Sequence, residues 1–359
     1  MDIKNIRLVA KMLWPNRKLR AHDNDFNCPF CGGSGKLNIN YDKGVYRCNK
    51  CGRAGDYMSL YTFIKKVDEK EAQAQINEAW EKMPSEEKKA FNNVEEEEEA
   101  SSIRCRDLVY SMCVRRGSLK AEHLADLHKR GLTDEAIKEF QIVSFDEEVL
   151  NNTFLEYLTR LSRNKNANIV RVPGFYRDEN GKVACGPNEG YMIPVVNRDG
   201  KISFFQIRHF EGDVKEKKYT GFSSRFKPSG VGTSSCENVH YVGFDFSSKT
   251  TPKVVNLTEG CLKADIASFF RKKPFIAILG VNNTHQLADE LSYLKEHGTQ
   301  TINICLDMDY REKREVKRAL FKIKSIIKES GLNIRMVEWP SEYKGIDDYL
   351  LFLNQNKKA

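Results

Sequence analysis

The chain has 359 residues, 40% of them hydrophobic and 30% charged, which is the composition of a globular protein with two or three domains. No apolar run approaches the roughly 18 residues that a membrane-spanning helix needs. The basic N-terminus also lacks the uninterrupted apolar core of a signal peptide. We therefore expect a cytoplasmic protein that has no membrane partner.

Positive charge is concentrated in one part of the chain. The net charge is +8, and residues 151–235 alone carry 14 Lys and Arg against 8 Asp and Glu, an excess of +6. Such an excess favours a polyanionic partner such as a nucleic acid. A basic surface that is only solvated is the alternative that charge alone leaves open.

Composition divides the chain into four segments. Residues 1–94 contain paired cysteines and then a charge-rich stretch that predicts helix from Tyr57 to about Phe91. Residues 95–102, EEEEEASS, predict a flexible acidic linker because like charges repel and apolar anchors are absent. Residues 103–250 begin with helical patterns and continue with aromatic, basic strand patterns, and residues 251–359 form the last segment.

Four cysteines near the N-terminus are arranged as two close pairs. Cys28-x2-Cys31 is followed, after 16 residues, by Cys48-x2-Cys51. Four thiolates at this spacing predict a tetrahedral zinc site, which is structural because it leaves no open coordination position. The intervening KLNINYDKGVYRC predicts a β-hairpin, so that this region is a zinc ribbon. A redox pair would leave the other pair of cysteines unexplained.

Aromatic and basic side chains of the ribbon suit contacts with single-stranded nucleic acid, where bases stack on rings and cations meet phosphates. The candidates are Tyr41, Tyr46, Arg47, Lys50 and Arg53. The alternative is that the aromatic rings pack beneath the hairpin and the charges are only solvated.

The last segment alternates short apolar strands with amphipathic helices. KVVNL, FIAILG, TINICL and LNIRMVEW predict strands, and the stretches between the first three and within residues 311–330 have helical periodicity. This alternation predicts an α/β fold whose parallel sheet is covered by helices on both faces.

Carboxylates follow the predicted strands of this sheet. Glu259 comes directly after KVVNL, Asp307 and Asp309 come after TINICL, and Asp347 and Asp348 come after the last strand. In open parallel sheets ligands bind at the carboxyl ends of the strands, and Mg²⁺ prefers hard oxygen ligands. The pattern predicts a metal site, although Asp347 could instead be the N-cap of the final helix.

With these motifs the chain resembles the bacterial DNA primases, which have an N-terminal zinc ribbon and a Toprim catalytic domain, and their phage and mobile-element relatives. The resemblance rests on the four-cysteine ribbon and on Glu-Gly followed by Asp-x-Asp. It also rests on KRGLTDEAIKEFQI (129–142) and GYMIPVVNRDGKISFFQIRHF (190–210). It implies an α/β chain with a zinc ribbon, a mixed α+β primase-core subdomain at 103–250, and a Toprim domain with a Rossmann-like parallel sheet at 251–359.

The resemblance also implies roles for individual residues. Glu259, Asp307 and Asp309 would hold catalytic Mg²⁺ or Mn²⁺ and the triphosphate of a ribonucleotide. Basic residues would line the groove for nucleotide and single-stranded DNA template: Arg208, His209, Lys217, Lys218, Arg225 and Lys227. A replicative helicase on a separate chain is a further implied partner.

Two features of the sites depart from the family pattern. Replicative primases typically have a histidine among the four zinc ligands, whereas all four are cysteines here, which should not disturb zinc binding. Primases carry an acidic residue four positions after the catalytic glutamate, whereas this chain has Lys263 there and Asp265 two positions further on. Lys263 either contacts a phosphate instead or weakens catalysis.

Three functions therefore stay open. The first is a primase of a phage, plasmid or other mobile element that makes short RNA primers on single-stranded DNA. The second is a primase-derived protein that binds single-stranded DNA or a helicase with weak catalysis, which Lys263 favours. The third is a Toprim nuclease that uses the same carboxylates.

Overall fold

The computed structural model describes residues 3–17, 19, 23–41, 43–85, 88, 100–144, 150, 152–162, 168–186, 190–210, 218–280, 283–312 and 314–356. The chain forms two compact units, Met1–Glu97 and Glu98–Ala359. Residues 95–99 of the predicted linker lie outside the described residues. Residues 100–102 belong to the second unit, where the Ala100 N–H donates to Ser235 Oγ at 3.0 Å.

In its described residues, the first unit is a small antiparallel sheet with three helices. The strands are hydrogen-bonded in chain order: β1 (Asp23–Phe26), β2 (Leu37–Asn40), β3 (Val45–Cys48) and β4 (Ala54–Asp56). The helices are α1 (Ile3–Leu13), α2 (Tyr57–Lys65) and α3 (Glu69–Lys82). The pairing of β2 with β3 confirms the predicted hairpin. Asp56 begins α2 by accepting the Ser59 N–H at 2.9 Å, and Asp68 caps α3 in the same way.

The second unit begins with helices and an antiparallel sheet. Its elements up to residue 221 are α4 (Ile103–Arg116), α5 (Ala121–Lys129), α6 (Asp134–Glu139), β5 (Val143–Ser144), α7 (Asn152–Ser162), the hairpin β6 (Phe175–Arg177) and β7 (Val183–Cys185), β8 (Tyr191–Val196), β9 (Ile202–Arg208) and β10 (Tyr219–Gly221). The sheet has the order β10-β9-β8-β5. This is the mixed α+β segment that the sequence predicts at 103–250.

A five-stranded sheet follows, in the order β11-β13-β12-β14-β15. Its strands are β11 (Val239–Val242), β12 (Val254–Glu259), β13 (Phe275–Ile278), β14 (Thr301–Ile304) and β15 (Asn333–Met336), and the helices are α8 (Cys261–Arg271), α9 (Leu287–Glu296), α10 (Arg314–Glu329) and α11 (Ile346–Asn356). All neighbouring strands are parallel except β11, which is antiparallel to β13. The predicted strand–helix alternation is confirmed, whereas β11 was not predicted.

Helices cover both faces of this sheet. Apolar residues of α9 and α10, such as Leu291 and Ile323, share one core with the strands, and Ala267 of α8 and Leu350 of α11 belong to a core on the strands as well. Leu262 of α8 also joins the core of the antiparallel sheet. The predicted domains 103–250 and 251–359 therefore pack as one compact unit, and β11 joins the parallel sheet from before the predicted boundary. None of the described helices combines the length and apolar character that crossing a membrane requires.

Candidate metal centres

The four ribbon cysteines converge on one point. Sγ of Cys28 lies 3.9 Å from Sγ of Cys51, and Sγ of Cys31 lies 3.8 Å from Sγ of Cys48. All four sulfur atoms lie within 4.8 Å of one another. A tetrahedron with Zn–S bonds of about 2.3 Å has sulfur–sulfur edges of about 3.8 Å. The sulfur atoms therefore already have the spacing of a structural zinc site.

Each cysteine pair lies in a tight backbone turn. The Gly32 N–H donates to the Cys28 carbonyl and the Gly52 N–H to the Cys48 carbonyl, both at 2.9 Å, and both glycines have positive φ. Burial disfavours the Cys48 thiolate, but the N–H groups of Cys51 and Lys50 point at its sulfur and lower the pKa of Cys48 to about 7. The turn therefore favours the thiolate of Cys48, the form that binds zinc, whereas burial raises the pKa of Cys28 to about 12.

The ribbon surface differs in part from the prediction. Tyr41 is 1% exposed and Tyr46 is 3% exposed, and Tyr46 stacks on Phe30. Both rings pack inside the unit, which is the alternative that the sequence left open for them. Arg47, Lys50 and Arg53 are exposed, which fits both contact with nucleic acid and simple solvation. The Arg53 guanidinium lies over the rings of Phe30 and of Phe63, at 4.6 and 5.3 Å. Phe63, which is 45% exposed, is an aromatic residue of this surface that the sequence analysis did not single out.

The predicted carboxylates of the second unit lie at one edge of the parallel sheet. Glu259 is the last residue of β12, and Gly260, with φ +87°, turns the chain directly into α8. Asp307 follows β14 by three positions, and Asp309 lies in the 3-10 turn Met308–Arg311. Because β12 and β14 are parallel neighbours, their carboxyl ends bring these acidic residues to the same edge.

A lysine lies among these carboxylates. The ammonium of Lys263 donates to Asp307 Oδ1, and the ammonium of Lys344 lies 3.8 Å from Asp307 Oδ2 and 3.9 Å from Asp309 Oδ2. Burial disfavours the charge on Lys263, but Asp307, Asp347 and Glu259 outweigh it and raise the pKa of Lys263. This edge of the sheet therefore already stabilises a cation.

The carboxylate oxygens of this cluster are not as closely spaced as the sulfur atoms of the ribbon. Among the described residues, the ribbon cysteines are the only group of three or more potential metal ligands whose atoms all lie within 4.8 Å of one another. Hard oxygen ligands that already hold an ammonium nevertheless suit a divalent cation such as Mg²⁺ in their chemistry.

The two aspartates of α11 have different roles. Asp348 Oδ2 accepts the Gly345 N–H at 3.2 Å, an N-terminal capping contact. Asp347 is the second residue of the helix and is not its N-cap, so the alternative offered for it above is wrong. Burial raises the pKa of Asp347, Lys263 opposes this, and Asp348 and Asp307 add to it. Asp347 Oδ1 is buried and has no hydrogen-bond partner among the described residues.

Asp265 lies apart from this cluster. It is 2% exposed, and its Oδ1 is 2.9 Å from His240 Nε2. The Val196 N–H donates to His240 Nδ1 at 3.1 Å, so the Nε2–H of the ring donates to Asp265. Asp265 faces about 200° around α8 from Lys263. Its contacts are those of a structural pair beneath the sheet.

Arg208 lies in a row of cross-strand neighbours. Tyr219 of β10 and Tyr191 of β8 both lie opposite it, and its guanidinium is 5.1 Å from the centre of the Tyr219 ring. The Tyr191 hydroxyl and the Arg130 Nε both donate to Asp126 Oδ2, at 2.9 and 3.0 Å. The sequence analysis missed the two tyrosines and the Asp126–Arg130 pair, although Arg130 falls within the segment KRGLTDEAIKEFQI.

Tyr219 links this row to the carboxylates. The pKa of Tyr219 is raised, chiefly by desolvation. The positive charges of Arg208, Arg130 and Lys263 oppose this shift, and the negative charge of Asp347 adds to it. All four charged groups are therefore within electrostatic range of one hydroxyl, so that the structure brings Arg208 and the carboxylate cluster to the same region.

The other predicted basic residues are placed differently. His209 is 7% exposed and its Nε2 is 2.7 Å from Thr220 Oγ1, so its ring is buried in the sheet. Lys217 lies outside the described residues. Lys218 is exposed beside β10, and Lys227 is exposed with its ammonium 5.3 Å from the Tyr176 ring. Arg225 is half-buried in the same loop as Lys227.

Two family models match parts of the chain. Residues 4–54 match a transposase zinc-ribbon domain, and residues 247–358 match a domain of unknown function, DUF3854. The first match covers the cysteines and confirms the zinc ribbon. The second covers the parallel sheet from β12 onward together with Glu259, Asp307 and Asp309.

A curated relative and solved structures extend the comparison. A DNA primase of Lactococcus lactis subsp. lactis (strain IL1403) is 27% identical over 202 residues, which are 55% of this chain and 31% of that protein. The zinc-binding and RNA polymerase domains of the Aquifex aeolicus primase match with a TM-score of 0.52 and 14% identity, over 100% of this chain and 84% of that one. A DnaG catalytic core matches with a TM-score of 0.50 and 17% identity, over 70% and 75%.

These comparisons define a chain with the fold of a primase zinc-binding domain followed by a primase catalytic core. By sequence it is a homologue of a bacterial DNA primase, of whose length the matched region spans about a third. The resemblance predicted from the motifs is confirmed at the level of homology and fold.

Proposed function

We propose that the chain is a DNA primase that synthesises short RNA primers on single-stranded DNA for a phage or other mobile element. The observation that carries this proposal is the position of Glu259, Asp307 and Asp309 at the carboxyl ends of adjacent parallel strands. The primase homology and fold support it. A cytoplasmic location and a helicase on a separate chain belong to the same proposal.

The carboxylates would hold Mg²⁺ or Mn²⁺, which neutralises the charge that develops as a 3′ hydroxyl displaces pyrophosphate. Asp307 and Asp309 approach the site from one short turn, and Glu259 approaches it from the neighbouring strand end. Arg208, held between Tyr191 and Tyr219, would bind phosphate of the template or the nucleotide.

The test is RNA synthesis by zinc-loaded protein with labelled ribonucleotides, Mg²⁺ and a mixed-sequence single-stranded template. The D307A/D309A variant should lose at least about 100-fold in synthesis rate, since metal stabilises the transition state by several kcal/mol. It should keep its fold and its affinity for DNA. D289A removes an exposed carboxylate of α9 and is the matched control. Full synthesis by D307A/D309A would refute the metal assignment.

The ion pair of Lys263 with Asp307 favours a second candidate, a primase-derived protein that binds single-stranded DNA or a helicase with little catalysis. The ammonium of Lys263 would then permanently occupy the place of the metal ion. This candidate predicts no RNA product from either protein, with equal and salt-sensitive binding of DNA by the wild type and D307A/D309A.

A further inference from the structure

The carboxylate cluster contains a lysine that is held in place. Lys263 is the third residue of α8, four positions after Glu259, and its ammonium donates to Asp307 Oδ1. Its side chain is 17% exposed, whereas that of Lys344, the other lysine near Asp307, is 65% exposed. Lys263 is therefore enclosed by the cluster, and Lys344 lies at its rim in solvent.

The backbone leaves room for this lysine at Gly345. A Cβ atom at that position would lie 3.1 Å from Lys263 Cε and 2.2 Å from Asp347 Oδ1. Any side chain there would enter the space between Lys263 and Asp347. The absence of a side chain at Gly345 thus allows the ammonium and a second carboxylate to share the site.

The charges around Lys263 are those that would attract a divalent cation. Asp307 contacts its ammonium, and Asp347 and Glu259 act on it electrostatically. The affinity of oxygen sites for divalent metal depends on the number of charged ligands. One ammonium within the cluster neutralises one of these ligands and repels a second cation.

We propose that Lys263 is a resident cation of the carboxylate cluster, whose ammonium competes with divalent metal for Asp307 and weakens metal binding. The inference rests on the metal site of the proposed function. In the absence of divalent metal, the ammonium keeps the carboxylates from repelling one another, and an arriving metal ion has to displace it from Asp307.

The test is a Mn²⁺ titration of the full chain, with zinc in the ribbon, in which free Mn²⁺ is followed by electron paramagnetic resonance at constant ionic strength. K263M removes the charge and keeps the length of the side chain. It should bind Mn²⁺ at least about tenfold more tightly than the wild type. K344M removes a lysine near the same aspartates and should stay within about threefold of the wild type.

The thermal melting temperature gives a second measure. Without added divalent metal K263M should melt below the wild type, and Mg²⁺ should restore K263M while changing the wild type little. K263Q repeats the comparison with a polar neutral side chain. If K263M and K263Q both fail to fold and Mg²⁺ does not restore them, the ammonium is a folding requirement and the inference is wrong.

The outcomes separate this inference from the proposed function. Equal Mn²⁺ affinity of K263M and the wild type, with binding lost in D307A/D309A, would overturn the inference and leave the metal site in place. If neither protein bound Mn²⁺, the metal site and the inference would both fail. RNA synthesis is not needed for any of these measurements.

Discussion

The zinc ribbon of the first unit and the carboxylate cluster of the second are both built to hold a cation, and they differ in how their ligands are kept together. The four ribbon sulfurs already lie at the spacing of a tetrahedral site, in two turns fixed by backbone hydrogen bonds. The carboxylates stand further apart, and the ammonium of Lys263 lies among them.

This difference indicates what each unit needs in order to fold. The first unit has a small core, and the cysteine pairs join its β1–β2 loop to the end of β3 and the loop that follows. The second unit has a larger core at its antiparallel sheet and two further cores on its five-stranded sheet, together with buried polar pairs such as His240 with Asp265. We therefore expect the first unit to depend on its metal and the second unit to fold without one.

The largest expected effect follows from removing the zinc site. C48S should release zinc and unfold the first unit, because structural zinc contributes about 10–16 kcal/mol of apparent binding free energy in zinc-finger peptides. Zinc content and limited proteolysis of residues 1–97 would measure this loss. C185S alters a cysteine of β7, outside the ribbon, and is the control. A C48S protein that keeps its first unit resistant to protease would remove the contrast between the two units.

Regular local patterns allowed much of the fold to be predicted. Strands β12 to β15 and the helices α8 to α10 lie within a few residues of the predicted segments, because hydrophobic periodicity is a property of the sequence itself. β11 was missed because four residues joined to β13 by antiparallel pairing leave no local signal. Tyr46 was misjudged although alternation places it on the same buried face as Cys48, with Val45 and Arg47 on the other.

The site could be predicted only in part, because some of its contacts depend on packing between distant parts of the chain and not on local spacing. Strand ends placed Glu259 and Asp307 together, since parallel neighbours share an edge. The contact between Lys263 and Asp307 joins residues 44 positions apart and depends on how α8 packs, which no spacing rule gives. The Asp126–Arg130 pair could have been predicted, because it has i,i+4 spacing at the end of α5, where Arg130 is the C-cap, but nothing local linked it to Arg208.

A smaller effect is expected from the buried pair that supports the second unit. D265A leaves the Nε2–H of His240 without an acceptor and should lower the free energy of unfolding by about 1–3 kcal/mol. D265N keeps an acceptor oxygen and should stay within about 1 kcal/mol of the wild type. Urea unfolding of the second unit would measure both. Equal losses in the two variants would show that the carboxylate charge, and not the hydrogen bond, supports this unit.

The same pair predicts a dependence on pH. Burial raises the pKa of Asp265, and His240 of β11 opposes the shift; Cys261 of the same helix also lies within electrostatic range. A carboxyl group whose pKa is higher in the folded state stabilises the fold most at low pH, and this contribution is lost as pH rises through the raised pKa. The free energy of unfolding of D265N should lack that decline, and an identical pH profile of the two proteins would contradict the assignment.

The smallest expected effect concerns which unit contacts DNA. Arg47 and Lys50 are exposed on the ribbon, and Lys218 and Lys227 are exposed on the second unit. Each phosphate contact with single-stranded DNA contributes about 0.7 to the slope of log affinity against log salt concentration. R47A/K50A and K218A/K227A should therefore each lower the slope by about 1.4, and K249A, an exposed lysine between β11 and β12, should leave it unchanged. A loss confined to one pair would assign the template to that unit alone, and a full slope in both variants would mean that neither cation pair contacts phosphate.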